Sequence, residues 1–205
     1  MDVALAYLHA GTVAHSFMAS VLQVTMRHPG LAVWPIKSGP LALPDSRNFA
    51  VGKLLDSNLQ WLWFADSDMG FSPMILDDML SLADPVARPV ITAPAVAVID
   101  GEPDGMGGLR PQLHPNLYEL DEASGLWQSW AYPLPDNQLL QVGGCGAAML
   151  LIHRGVLERL GRQCFDRIGR WGEDLSFCRR LGEAGIPIHA HTGLKPTHYK
   201  AIGLD

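Results

Sequence analysis

Apolar and polar positions fall into alternating blocks over the first half of the chain. Val3–Leu8 is a short apolar run closed by a glycine-containing turn, the pattern of a strand. Ser16 can cap a helix in which Phe17, Val21 and Val24 recur at helical spacing. Leu31–Ile36 reads as a second strand, and Asp45 or Ser46 can cap a helix running to about Leu55. Leu59–Ala65 (LQWLWFA) is continuously apolar, as expected of a strand covered on both faces. Ser72-Pro73 then opens a third helix with proline at its favoured first position. Strand and helix alternating in this way predict parallel strands joined by right-handed crossovers.

The pattern changes between Arg88 and about Gln141, where strand-like runs are interrupted by prolines and by the glycine-rich stretch Gly101–Gly108. Antiparallel or irregular strands and one long mobile loop are expected there. Val142–Ile152 (VGGCGAAMLLI) is a glycine turn running into a buried strand. Short helices over Arg154–Leu160 and Asp174–Ala184, the latter ended by Gly185, precede a last strand over Ile186–His191. With no repeat or linker, the expectation is one α/β domain with a mostly parallel central sheet and a smaller antiparallel region.

Composition narrows the class. A chain of 205 residues that is 48% hydrophobic can bury a sizeable core, and 21 glycines with 15 prolines imply many turns. The net charge of −6 argues against a nonspecific nucleic-acid binder. The charge is uneven: residues 150–205 hold nine Lys/Arg against six Asp/Glu, and residues 1–149 hold six against fifteen. An acidic body that meets an anionic ligand needs a metal or a small basic patch. Cys145, Cys164 and Cys178 form no CxxC pair, which suits reduced thiols. Val3–Met26 lacks charge, but Asp2 precedes it and His9–Thr12 and His15-Ser16 interrupt it, so neither signal peptide nor membrane span is expected. A soluble cytoplasmic protein is the expectation.

Three groups carry candidate chemistry. Asp66-Ser67-Asp68 directly follows the buried run, and ligands in parallel α/β sheets bind beyond the carboxyl ends of strands. Two carboxylates so spaced can bind one hard divalent cation, although a turn cap with a solvated neighbour fits the same residues. Gly172-Glu173-Asp174 starts a helix, where capping and proton transfer from an attacking hydroxyl both suit a carboxylate. Trp171 beside it is a sugar platform or a core residue. His198 gains weight as a ligand if it meets Asp68, and Lys195 and Lys200 could face a diphosphate or simply be solvated. Gly143-Gly144-Cys145-Gly146 is neither a dinucleotide fingerprint nor a P-loop, Cys145 reads as a small buried side chain, and no Gly-x-Ser-x-Gly elbow occurs.

In order along the chain stand Asp45-Ser46-Arg47-Asn48, Asp66-Ser67-Asp68-Met69-Gly70-Phe71, Gly144-Cys145-Gly146 before Met149–Ile152, Gly172–Cys178, and His198. Taken together from about Val3 to Lys200, this series resembles the GT-A-fold glycosyltransferases, close to small bacterial and phage-encoded nucleotide-sugar enzymes. The resemblance implies a nucleotide-binding half over residues 1–87 and an acceptor-side half over 88–205. It implies that Asp66, Asp68 and His198 hold Mn²⁺ or Mg²⁺, with Asp66 also reaching the ribose. Leu8 and His9 would border the nucleobase, and Arg47, Ser67 and Lys200 would lie along the nucleotide. Gly144 and Gly146 would let the donor sugar lie against the backbone, with Trp171 nearby. Asp174 would be the general base for the acceptor hydroxyl, with Glu173 its neighbour or the base itself.

The implied reaction moves a hexose or N-acetylhexosamine from a nucleotide-sugar, by default UDP-linked, to a protein or glycan acceptor such as a virion component. The implied location is cytoplasmic, in a host cytoplasm for a phage-encoded chain. Nucleic acid and stable membrane insertion are not expected as partners, and self-association is left open. Little chain follows His198, so acceptor recognition is expected to use the middle loops, a partner subunit or the acceptor's own surface. Two alternatives stand beside this reading. A sugar nucleotidyltransferase would carry a basic glycine-rich signature near its N-terminus, whereas residues 9–16 hold one glycine and no Lys or Arg. A non-catalytic glycan-binding or scaffold module would have no need of Asp66, Asp68, Asp174 and His198 together.

Overall fold

The computed structural model describes residues 1–38, 43–103 and 109–199. The chain begins β1 (Val3–His9), α1 (His15–Arg27), β2 (Ala32–Lys37), α2 (Leu43–Leu55) and β3 (Trp61–Ala65), the alternation expected from the sequence. A two-residue strand β4 (Met69–Gly70), helix α3 (Ile75–Leu82) and strand β5 (Val90–Thr92) follow. The middle is antiparallel: β6 (Val96–Pro103) and β7 (Leu109–Pro115) form one ribbon, and β8 (Leu117–Asp121) pairs with β9 (Leu126–Ser129). Of the loop suggested over Gly101–Gly108, residues 101–103 extend β6, and 104–108 lie outside the described residues. The chain continues through β10 (Leu139–Val142), β11 (Gly144–Cys145), β12 (Met149–His153), α4 (Arg154–Leu160), α5 (Glu173–Glu183), β13 (Ile188–His191) and β14 (Thr197–His198).

Seven strands form the central sheet in the order β10-β13-β5-β12-β3-β1-β2. Five share one direction, and β12 and β10 run against them. β12 is wedged between β3 and β5, with Met149 opposite Ala65 and His153 opposite Trp61. The sheet therefore takes strands from both sides of residue 87 and is continuous across them.

Strand alternation builds a core on each face. Ala4, Ala6, Leu8, Leu62 and Phe64 face one cluster with Ala50, Val51 and Leu54 of α2, Leu157 of α4 and Phe177 and Leu181 of α5. Val3, Leu5, Tyr7, Trp63 and Ala65 face the other, with Phe17, Val21 and Val24 of α1 and Ile75, Leu76 and Met79 of α3. Each such large side chain contributes about 1.5–3 kcal/mol by leaving water. Cys145, Cys164 and Cys178 are free and buried, and burial pushes the Cys164 thiol up to about 12.

Three helix starts differ from expectation. α1 begins at His15 with Ala14 at the N-cap, so Ser16 lies inside the first turn. The Ala14 N–H donates to the Ser67 carbonyl at 2.9 Å, a tertiary contact that starts the helix without a side-chain cap. α2 begins at Leu43, so Asp45 and Ser46 are within it. Ser72-Pro73 forms a turn whose Ser72 Oγ accepts from the Met74 N–H at 3.2 Å, and α3 starts at Ile75.

Candidate functional site

Parallel β1 and β3 open at the same edge of the sheet, and the residues leaving β3 are Asp66-Ser67-Asp68. The Asp66 N–H donates to the Ala148 carbonyl at 2.9 Å, tying the turn to the segment that enters β12. From the other side, α5 presents Glu173 and Asp174 in its first turn, where the helix dipole favours negative charge. The Ala147 N–H donates to Asp174 Oδ2 at 3.1 Å. Asp174 Oδ1 is buried without a hydrogen-bond partner, 3.8 Å from Arg47 Nε, and the side chain as a whole is partly exposed.

Arg47 joins these carboxylates. It projects from α2 into the interior, 4% exposed, with its guanidinium over the rings of Phe64 and Phe165 at 5.1 and 6.0 Å. Its Nη2 lies 3.3 Å from Asp66, and its Nε lies 3.5 Å from Glu173 and 3.8 Å from Asp174. Burial opposes the Arg47 charge, but the three carboxylates outweigh it and hold the guanidinium protonated more firmly than usual. Its Nη1 is buried and unpartnered. The fold sets Arg47, which the resemblance places along the nucleotide, within 3.3–3.8 Å of the three carboxylates, as their common counter-charge.

Burial pushes the Asp66 carboxyl above the usual range, and Asp174 and Asp68 add to this against the pull of Arg47. Glu173 is likewise raised, by burial first and then by Asp174, with Arg47 opposing. A carboxyl raised in the folded state favours folding below its unfolded pKa and loses that contribution as pH rises through its folded pKa. Relative to the native protein, Glu173→Gln is therefore expected to gain stability as pH rises from about 4 to about 7. Urea denaturation of both proteins across that range checks the sign, and a constant difference between them would contradict it.

Asp68 faces outward and meets His198, with Oδ2 and Nε2 3.0 Å apart. The pairing of β14 with β4 places them together: His198 stands opposite Met69, and the Tyr199 N–H donates to the Asp68 carbonyl at 2.9 Å. Asp68 is half exposed and His198 partly so. Among the described residues, no three or more His, Cys, Asp or Glu are grouped so as to hold a metal ion. A carboxylate and an imidazole side by side are nevertheless a donor pair that suits a borderline cation such as Mn²⁺. Asp66, the third donor implied by the resemblance, has its Oδ1 3.3 Å from Arg47 Nη2.

The remaining positions are distributed around this edge. Leu8 points into the core, while His9 ends β1 and accepts from the Ser38 N–H through its carbonyl at 2.9 Å. Ser67 contributes its carbonyl to α1. A Cβ on Gly144 would lie 2.8 Å from the Trp127 ring, and one on Gly146 would lie 2.9 Å from the Asn116 amide. These glycines admit protein side chains on their Cβ sides. Trp171 is partly exposed next to Glu173 and Asp174, Lys195 pairs with Asp136 at 2.9 Å, and Lys200 lies outside the described residues. Sequence reading did not single out Tyr118, Trp127 or Asn116. Tyr118 and Trp127 lie in the runs Leu117–Asp121 and Leu126–Ser129, which mark strands and not sites, and Asn116 lies just before the first.

No protein-family model and no curated protein sequence matches the chain. Solved structures do. A crystal structure of A197 from STIV aligns at a TM-score of 0.65 and 16% identity, covering 98% of this chain and 87% of that one. A crystal structure of GalNAc-T7 with UDP, GalNAc and Mn²⁺ aligns at a TM-score of 0.65 and 11% identity, covering 98% of this chain and 44% of that one. At such identities the likeness is one of fold: this chain is a mixed α/β, GT-A-like domain.

Proposed function

We propose that the chain is a metal-dependent glycosyltransferase that moves a hexose or N-acetylhexosamine from a nucleotide-sugar, with UDP as the expected nucleotide, to an acceptor hydroxyl on a protein or glycan. The observation that carries this reading is the gathering of Asp66 with Glu173 and Asp174 of α5 around Arg47, on the same Asp66-Ser67-Asp68 turn whose half-exposed Asp68 pairs with His198. The GalNAc-T7 structure, with its UDP, GalNAc and Mn²⁺, supports the choice of donor and metal. The donor would lie on the side of residues 1–87 and the acceptor on the side of residues 88–205.

Asp68 and His198, with Asp66 beside them, would hold Mn²⁺ or Mg²⁺. Bound there, such an ion supplies positive charge that stabilises the departing diphosphate. Asp174 is the general base. Its Oδ2 is oriented by the Ala147 N–H and keeps a lone pair for the acceptor hydroxyl. As that proton passes to Asp174, the acceptor oxygen bonds to the anomeric carbon. The bond from that carbon to the diphosphate oxygen breaks, and its electron pair leaves on the nucleoside diphosphate. Attack opposite the leaving group inverts the anomeric centre. Glu173, 9% exposed and bound to Arg47, acts as a positioning residue for Asp174.

A donor screen tests the reading. UDP-glucose, UDP-galactose and their N-acetyl counterparts, each with Mn²⁺, are offered to the protein and release of UDP is followed. Turnover of one donor, abolished by a chelator, is expected. Release of pyrophosphate from a nucleoside triphosphate and a sugar phosphate would support a nucleotidyltransferase instead.

A further inference from the structure

The three-stranded sheet β11-β8-β9 carries a face that the mechanism above leaves unused. Tyr118 of β8 stands opposite Gly144 of β11 and Ser129 of β9, and Leu120 stands opposite Trp127. Side chains alternate across a strand, so Tyr118, Leu120, Trp127 and Ser129 share the face on which Gly144 offers only hydrogen. The Trp127 ring occupies that space, 2.8 Å from where a Gly144 Cβ would sit. Its centroid is 6.0 Å from that of Trp171, with the two indole planes at 73°. The two indoles thus meet edge to face, with Trp171 two residues before Glu173 in the chain and Trp127 packed on the core below. Both indoles are partly exposed, and Trp127 Nε1 is buried with no hydrogen-bond partner. Tyr118 is half buried close enough to Asp174 that, after burial, the Asp174 charge raises its phenol.

We propose that this aromatic pair seats the acceptor and that the acceptor is a pyranose, so that the hydroxyl receiving the transferred group belongs to a sugar ring. The inference rests on the transferase reading and names its acceptor class. A pyranose has a face of C–H bonds polarised positive by the attached oxygens, which matches the negative face of an indole. Its rim of hydroxyls matches the Asp174 carboxylate and the Tyr118 phenol, which together both accept and donate. A serine or threonine side chain would leave the indole faces uncovered. Gly144 is then part of the specificity, because any side chain there would displace Trp127.

The test is binding in the presence of UDP and Mn²⁺, read by intrinsic tryptophan fluorescence and by saturation-transfer NMR. The probes are methyl glycosides of glucose, galactose and N-acetylglucosamine, offered to the native protein, Trp127→Phe and Trp127→Leu. In parallel, a serine- and threonine-containing peptide is offered with the donor panel. At least one glycoside is expected to bind with saturation concentrated on ring C–H protons, and Trp127→Leu should weaken it about tenfold. Trp127→Phe, which keeps an aromatic face and the packing, should weaken it less. Glycoside binding indifferent to Trp127→Phe and Trp127→Leu would overturn the proposal, as would peptide glycosylation without glycoside binding. UDP binding with Mn²⁺ separates the two readings: if UDP binds and no glycoside does, only the acceptor assignment falls. If UDP does not bind, the transferase reading falls and the acceptor assignment with it.

Discussion

Arg47→Met is expected to cost about 3–5 kcal/mol of folding stability, the range for removing one member of a buried charge network. Methionine fills the space over Phe64 and Phe165 but leaves Asp66, Glu173 and Asp174 facing one another without a cation. The carboxylates then repel and take up protons, so the loss should shrink as pH falls toward 4. Arg47→Lys should recover part of the stability, since an ammonium restores the charge without the planar fork that reaches three partners. Urea denaturation at neutral and acid pH measures both effects. A neutral-pH loss below about 0.5 kcal/mol, the size of an ordinary surface substitution, would mean that Arg47 does not hold the carboxylates together.

Asp174→Asn is expected to lower kcat by a factor of about 10²–10⁴, the usual contribution of a positioned general base. An amide cannot take the acceptor proton. The substitution keeps the volume at the α5 start and leaves Asp68 and His198 as they are. Donor affinity should therefore change by far less than kcat, and a loss carried mainly by the donor KM would assign Asp174 to binding instead. Steady-state kinetics with the donor found by the screen separates these outcomes.

Much of the fold was legible because the signals were local. Trp61–Ala65 is apolar throughout, and Phe17, Val21 and Val24 of α1 recur at helical spacing, so these elements could be placed without knowledge of their partners. The direction of β12 could not be read in this way. A strand buried on both faces has the same hydrophobic pattern whichever way it runs. Helix starts shifted where tertiary contacts replaced caps, as when Ala14 bonds to the Ser67 carbonyl.

The site was legible as separate residues rather than as an arrangement. Asp68 and His198 stood out individually, and only the pairing of β14 with β4 brings them to 3.0 Å. Arg47 and Asn48 look like surface residues of a polar helix, yet both are buried. Asn48 is satisfied by Gln163 at 2.9 Å, Asp166 at 2.7 Å and the Phe165 N–H at 2.9 Å, partners more than a hundred residues away. Buried polar groups are chosen for partners that only the fold supplies, so periodicity misreads them. Trp127 was missed for a related reason: its packing depends on Gly144 and Trp171, contributed by distant segments.

Calorimetric titration of UDP and of GDP, each with and without Mn²⁺, on the native protein and on Asp68→Ala tests the central claim most directly. The account predicts that one nucleotide binds only when Mn²⁺ is present, and that Asp68→Ala abolishes this binding while retaining the native circular dichroism. Binding of neither nucleotide under any metal condition, or metal-dependent binding undiminished by Asp68→Ala, would contradict it.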